Sequence, residues 1–170
     1  MDQTENMLLG EWINAMAPSQ NASVSFPPGA NDARVQEAWR TAIAHVEAEE
    51  ASGRFPANLA MNIRLFGRSH AWLHGAPGDG CEQLCNIQIT SFDNPHWEPF
   101  QVRLMEAWLR IPGARPHWAK QFQNVPGITA RIAAVYGEHL DAFRRVHAEW
   151  AVDPDGVFLS PFMRGLLFAP

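Results

Sequence analysis

Two short alternating runs limit most strictly what this chain can fold into. In Leu59–Phe66 (LAMNIRLF), Leu59, Met61, Ile63 and Leu65 fall on one side of an extended chain, and Ala60, Asn62, Arg64 and Phe66 on the other. Cys85–Thr90 (CNIQIT) repeats the arrangement, with Cys85, Ile87 and Ile89 opposed to Asn86, Gln88 and Thr90. A period of two is the signature of a strand. Paired in one sheet, the runs give an apolar face and a face carrying Asn62, Arg64, Asn86, Gln88 and Thr90. A half-buried antiparallel sheet with a wet polar face would satisfy the pattern. Yet that face holds no Lys or Glu and is rich in amides, which suits a lined pocket better than a solvated surface.

Around these runs the chain reads in order. Residues 4–16 form a short helix candidate, with Met7, Leu8, Trp12 and Met16 along one side. Asn21–Phe26 is a short strand candidate, stopped by Pro27-Pro28-Gly29. Asn31 or Asp32 then caps a helix, in which Val35, Ala38, Trp39, Ala42, Ile43 and Val46 follow the spacing of a helix packed on a sheet. Glu47, Glu49 and Glu50 mark its wet end, and Ser52-Gly53 stops it. Between the two strands runs a glycine-rich loop with His70, Trp72 and His74. Asp93-Asn94-Pro95 starts a second helix with an apolar stripe of Trp97, Phe100, Leu104 and Trp108.

Strand, helix, strand, strand, helix is most of a ferredoxin-like α+β layer, an antiparallel sheet with helices on one face. The helices cover the apolar face and leave the polar one open. Ala114–Gln123 is irregular. Ile128–Tyr136 and Glu138–Trp150 are helical, with a break near Gly137. Asp153-Pro154-Asp155-Gly156 is a turn, and the apolar tail Val157–Phe168 must pack on something. The 170 residues form one domain: an N-terminal extension (1–20), a sheet-and-helix layer (21–112) and a helical C-terminal segment (113–170).

Composition excludes several classes. With 46% hydrophobic and 18% charged residues, the chain has the material for a core. A net charge of −5 and no basic run argue against a nucleic-acid partner. No apolar stretch approaches the roughly 20 residues of a membrane span. The acidic start lacks the basic opening of a signal peptide, so a cytoplasmic location is expected. Cys81 and Cys85 are read as free thiols. His70, His74, Cys81 and Cys85 are zinc-type ligands, but the histidines flank a Gly/Pro loop and Cys85 falls on an apolar strand face, so no metal site is expected.

The last third resembles a known family. His117-Trp118-Ala119-Lys120, then a helix, then Asp153-Pro154-Asp155-Gly156-Val157-Phe158-Leu159-Ser160-Pro161 is similar to the C-terminal end of flavin-dependent oxidases of the vanillyl-alcohol-oxidase type. The likeness is greatest to the sugar-lactone (aldonolactone) and alditol oxidases and the flavin-linked cholesterol oxidases. Those end in His-Trp-Gly-Lys, a helix and Asp-Pro-x-Gly-x-Phe-Leu-Asn-Pro. Their substrate-side strand carries Glu-x-Arg, where this chain has Asn62-Ile63-Arg64. The resemblance runs from about residue 21 to 170. Here Asn62 replaces the Glu, Ala119 a Gly and Ser160 an Asn.

The resemblance implies a cap domain that lays its sheet over an FAD ring and contacts an alcohol substrate, either a sterol or a sugar lactone or polyol. It implies catalytic roles for Arg64 and Lys120, with Asn62 at the position of the Glu. Arg64 and Lys120 would stabilise negative charge on the reduced ring or a developing alkoxide. It places Asn86, Gln88, Thr90, His117, Trp118 and Ser160 against substrate or cofactor. An amide at position 62 cannot accept a proton as a base. The sequence shows neither a glycine-rich dinucleotide loop nor a covalent-flavin segment. FAD is therefore expected only with a partner domain, and none on the isolated chain. The alternative is a non-catalytic module, derived from that domain, that binds a small molecule or a protein. Association is expected in either case, as a two-fold dimer or with an FAD-binding partner chain, with Met7–Met16 as a candidate contact.

Overall fold

The computed structural model describes residues 18–67, 69–74 and 82–168. The helix expected over 4–16, with the contact proposed for Met7–Met16, lies outside them, as does Cys81.

Strands form where polar and apolar residues alternate. They are β1 (Ser19–Phe26), β2 (Met61–Gly67), β3 (Gln83–Phe92) and a two-residue β4 (Arg115–Pro116). The sheet order is β2-β3-β1-β4, and every neighbouring pair is antiparallel. Helix α1 (Ala33–Glu50) joins β1 to β2, and α2 (Trp97–Trp108) joins β3 to β4. This βαββαβ path is the ferredoxin-like split βαβ, as expected. The fourth strand lies within the segment read as irregular. Two pairings against β1 define it, Val24 with Pro116 and Ser25 with Arg115. A proline is tolerated there because β4 is an edge strand.

Register decides which face each side chain takes. Asn62 lies opposite Gln88, Arg64 opposite Asn86, Ser25 opposite Asn86 and Asn21 opposite Thr90. One face therefore carries Ala22, Val24, Phe26, Cys85, Ile87 and Ile89, all buried. Helices α1 and α2 cover it with Ala38, Ala42, Trp97, Phe100, Leu104, Met105 and Trp108. The Trp108 indole donates to Ala38 O at 2.9 Å, so its one polar atom is satisfied inside the core.

Several expectations on α1 are corrected. Asp32 occupies the N-cap position, but neither it nor Asn31 makes a side-chain cap; both take positive φ (56° and 51°). Trp39 and Ile43, read into the apolar stripe, remain 36% and 39% exposed. Glu49, read as part of the wet end, is only 6% exposed, because the carboxylate bonds Arg54 at 2.6 Å and also Arg103 of α2. The pair ties the end of α1 to its neighbour.

Beyond the sheet, α3 (Ile128–Glu149) breaks at Gly137, whose φ of 43° and ψ of −123° leave the helical region. Ile128, Ile132, Tyr136 and Leu140 form its buried side. The turn Asp153–Gly156 is fixed by Asp153, whose carboxylate accepts from the Val157 and Phe158 amides at 2.7 and 3.1 Å. Helix α4 (Pro161–Leu167) follows, capped by Ser160 Oγ accepting from Met163 N at 3.2 Å. The tail packs through α4, where the Phe162 ring meets Phe122 and Met163 lies against the core. Leu166 and Leu167 are buried, and Phe168 meets Phe143 and His147. Val157 and Phe158, expected to pack, are instead 76% and 89% exposed. Among the described residues no helix is long and apolar enough to cross a membrane.

Candidate functional site

The polar face of the sheet is knitted across its strands rather than left to water. The Asn86 amide donates to Ser23 Oγ (2.8 Å), Val24 O (3.1 Å) and Ser25 Oγ (3.1 Å), and Ser23 Oγ donates to Ile87 O (2.9 Å). Further along, Gln88 Nε2 donates to Asn21 Oδ1 (2.9 Å) and Thr90 Oγ1 (3.1 Å), and Thr90 Oγ1 donates to the same Asn21 oxygen (2.9 Å). Amides and hydroxyls suit this role because each can donate and accept at short range without carrying a charge. Ser23, Ser25 and Asn86 are buried as a result.

This face is partly roofed, contrary to the open face expected. After β4 the chain stays over the sheet edge, with His117 N donating to Ser23 O at 3.0 Å and Gln121 N to Asn21 O at 3.0 Å. The Trp118 ring is held from three sides. Its indole N–H donates to Leu73 O (2.6 Å), and its ring meets Tyr136 (centroids 5.4 Å apart) and Phe122 (6.1 Å). The bond to Leu73 brings the 69–74 segment across from β2. Between these two arms lies a cleft of about 470 Å³, lined by Ser25, Arg64, Phe66, Leu73, His74, Asn86, Pro116, His117, Trp118 and Ala119. Its size is that of a small-molecule pocket.

Four residues singled out in the sequence meet in this cleft: Arg64, Asn86, His117 and Trp118. Asn62, Gln88 and Thr90 share the polar face but lie outside the lining. The Asn62 side-chain oxygen is buried and finds no hydrogen-bond partner among the described residues. Lys120 lines a neighbouring depression of about 310 Å³ with Ser19, Asn21, Ala119, Gln121 and Gln123. Ser160 is the cap of α4. The sequence reading did not place Ser25, Phe66, Leu73, His74, Pro116 or Ala119 in the site. Ser25 was legible in principle, since Asn21, Ser23 and Ser25 alternate along β1 as the other polar residues do. Leu73 carried no signal, because the Trp118–Leu73 bond that places it spans two distant loops.

The cleft's charge is one-sided. Arg64 is exposed and has no hydrogen bond or ion pair with any described residue. His117 accepts the Ala119 N–H on Nδ1 (3.2 Å), which leaves its ring proton on Nε2. Burial first, then the Lys120 charge, with Arg64 and His74 adding, hold the His117 pKa below its ordinary value. At neutral pH the ring is therefore a neutral donor. Behind the cleft, Arg115 is buried, donates to Val135 O at 3.0 Å and sits over the Tyr136 ring at 5.3 Å. Burial pushes the Tyr136 hydroxyl up to about 12, with Arg115 pulling the other way, so it stays protonated. Cys85 lies on the opposite, apolar face, and burial raises its thiol to about 11, so it is no nucleophile. Among the described residues no cluster of three or more His, Cys, Asp and Glu could hold a metal.

Fold and cleft together define an α+β domain of split βαβ topology with a donor-lined pocket on its polar sheet face. The family model for D-arabinono-1,4-lactone oxidase matches residues 29–166, which take in β2, β3, the His117–Lys120 element and the turn at Asp153. The chain belongs to the D-arabinono-1,4-lactone oxidase family. No curated protein matches it significantly.

Proposed function

We propose that this chain forms the substrate-side part of an FAD-dependent oxidase that acts on an alcohol group of a sugar-derived compound. One observation carries the reading. Arg64, Asn86, His117 and Trp118, which come from three separate segments of the chain, line one cleft within the family-matched region. The donor set fits an electron-rich ring, since Arg64 and a neutral His117 Nε2–H stabilise negative charge and offer no repulsion. FAD, when bound, would accept the hydride from the carbinol carbon.

The diphosphate of a dinucleotide usually sits on a glycine-rich turn from a strand into a helix N-terminus. No such turn occurs among the described residues. As the family resemblance implies, FAD binding on this reading falls to a partner domain. Trp150, Val157 and Phe158, between 76% and 89% exposed, support contact of the C-terminal turn with that domain or with a second copy of the chain. Arg64 binds and polarises the reacting end of the substrate, while Lys120 acts from beside the cleft through its charge. Asn62 orients through its amide and is not the base.

The test is to purify the protein with its native associates, without added cross-linker, and measure FAD content and peroxide release on alditols and aldonolactones. We expect bound FAD and turnover. Arg64→Gln should lower kcat/KM at least about tenfold at unchanged FAD content, the worth of one charged hydrogen bond. A preparation without FAD, even at saturating added FAD, and without turnover refutes the oxidase reading. Asn62 in place of a carboxylate favours a second reading, a pocket that binds without oxidising. Ligand-dependent stabilisation with no flavin chemistry would establish it.

A further inference from the structure

We propose that the cleft takes a hydroxycarboxylate, an open-chain sugar acid of the aldonate kind, in preference to the neutral polyol or lactone of the same carbon skeleton. This deepens the oxidase reading by naming its substrate class, but it rests on binding groups alone.

The lining can be taken one polar side chain at a time. Arg64 is a guanidinium with no partner among the described residues, a planar fork that matches a carboxylate. Ser25 Oγ accepts from Asn86, which leaves its hydroxyl hydrogen to donate. His117 donates from Nε2, because Nδ1 holds the Ala119 amide. His74 lies beside Phe66, its ring edge-on at 5.9 Å. The Trp118 N–H is engaged by Leu73 O. The Asn86 amide hydrogens are engaged by β1, so the side chain's remaining polar atom is its carbonyl oxygen. Among the described residues no carboxylate lines the cleft.

Among the described side chains the lining thus holds one full cation, Arg64, with neutral donors beside it and no anion to balance it. A polyol hydroxyl brings one hydrogen to every oxygen, and each hydrogen left without an acceptor in a desolvated site costs affinity. A carboxylate brings only acceptors. It fits Arg64 and the neutral donors, and one adjacent hydroxyl fits the Asn86 oxygen. Phe66, Leu73, Pro116 and Trp118 supply apolar walls for the carbon skeleton.

The experiment is calorimetric titration of the full chain with sodium gluconate and, separately, with sorbitol, at constant ionic strength set with sodium chloride. Sodium acetate serves as the control for a bare carboxylate. We expect gluconate to bind at least about tenfold more tightly than sorbitol and more tightly than acetate. Arg64→Gln should weaken gluconate at least about tenfold and sorbitol by a clearly smaller factor, since sorbitol loses only a neutral hydrogen bond. Arg64→Lys, which keeps the charge and loses the fork, should fall between. Arg64 is exposed, so an unchanged melting temperature will show that the variants are folded. Sorbitol binding as tightly as gluconate, no gluconate heat at tens of millimolar, or an Arg64→Gln chain that binds gluconate normally would each overturn the proposal. None of these results depends on flavin, so the oxidase reading would stand or fall separately on its peroxide assay.

Discussion

Asn86 offers the most direct test of how the polar face holds together. Its amide has two hydrogens and three acceptors within 3.1 Å, so about two full hydrogen bonds are made at a time. Asn86→Ala removes them. At roughly 1 kcal/mol each, with cleft water able to reach Ser25, the loss is about 2 kcal/mol. Asn86→Asp is isosteric but reverses the chemistry. An oxygen replaces the NH2 and faces the Val24 carbonyl, and a charge is placed at a residue only 6% exposed. Ser23 could donate to it only by releasing Ile87 O. The cost at pH 7 is about 3–5 kcal/mol, the range for an uncompensated buried charge.

The two variants also differ in sign with pH. Burial raises the new carboxyl's folded pKa above its unfolded value of about 3.9. The Asp penalty is therefore present in full above the folded pKa and shrinks as pH falls, because the protonated acid can again donate. The Ala penalty has no such dependence. Urea melts at pH 7 and pH 5, each referred to the parent protein at the same pH, measure both. At about 2–4 °C per kcal/mol for a chain of this size, thermal melts would show a drop of about 10 °C for Asp and about 6 °C for Ala. An Asp variant no worse than Ala at pH 7, or an Asp deficit that does not shrink at pH 5, would refute the account of this network.

Two further outcomes follow from other parts of the molecule. The Arg54 hydrogen bond chiefly holds the Glu49 pKa below its ordinary value, so the stability it contributes is present above the unfolded carboxylate pKa and is lost as pH falls through the folded one. With the arginine side chains 43% and 50% exposed, screening limits the loss in Glu49→Gln to about 1 kcal/mol at pH 7, and the difference should narrow in urea melts as pH is taken progressively into the acid range. Gly156 has φ of 67°, and a Cβ there would collide with the Arg164 guanidinium. Gly156→Ala should therefore cost about 1–2 kcal/mol in thermal melts, with Gly156→Asn milder because Asn tolerates that conformation; equal stability of all three would refute the strain.

The sheet was legible because its constraint is local and periodic. Alternation along Asn62–Arg64 and Asn86–Thr90 puts those residues on one face whatever the rest of the chain does, and the ladder pairs them as the pattern requires. The apolar stripe of α2 was legible for the same reason, since Trp97, Phe100, Leu104 and Trp108 are all buried. What failed depended on partners distant in sequence. Glu49 is buried because Arg103, 54 residues away, reaches it. Trp39 and Ile43 stay at the surface because α2 covers only one side of α1. The split of the candidate site has the same origin. Trp118 enters the cleft through a bond to Leu73, 45 residues away, whereas Lys120, two residues further on, faces the next depression. Adjacency in His117–Lys120 does not decide which hollow each side chain enters.

The amide at position 62 bears on both the chemistry and the charge of the site. Residues i and i+2 of a strand share a face about 7 Å apart, within reach of a long side chain. A carboxylate at 62 would stand beside Arg64, could hold the guanidinium in an ion pair and would lower the positive field over the cleft. Asn62 does neither. An amide accepts no proton at neutral pH, and Arg64 has no counter-ion among the described residues. An alcohol whose own carboxylate binds Arg64 restores the missing negative charge from the substrate side. On the proposed oxidase reading, the amide at 62 and the preference for a sugar acid are linked through Arg64, and the proton of the reacting hydroxyl would leave by a route that does not pass through position 62.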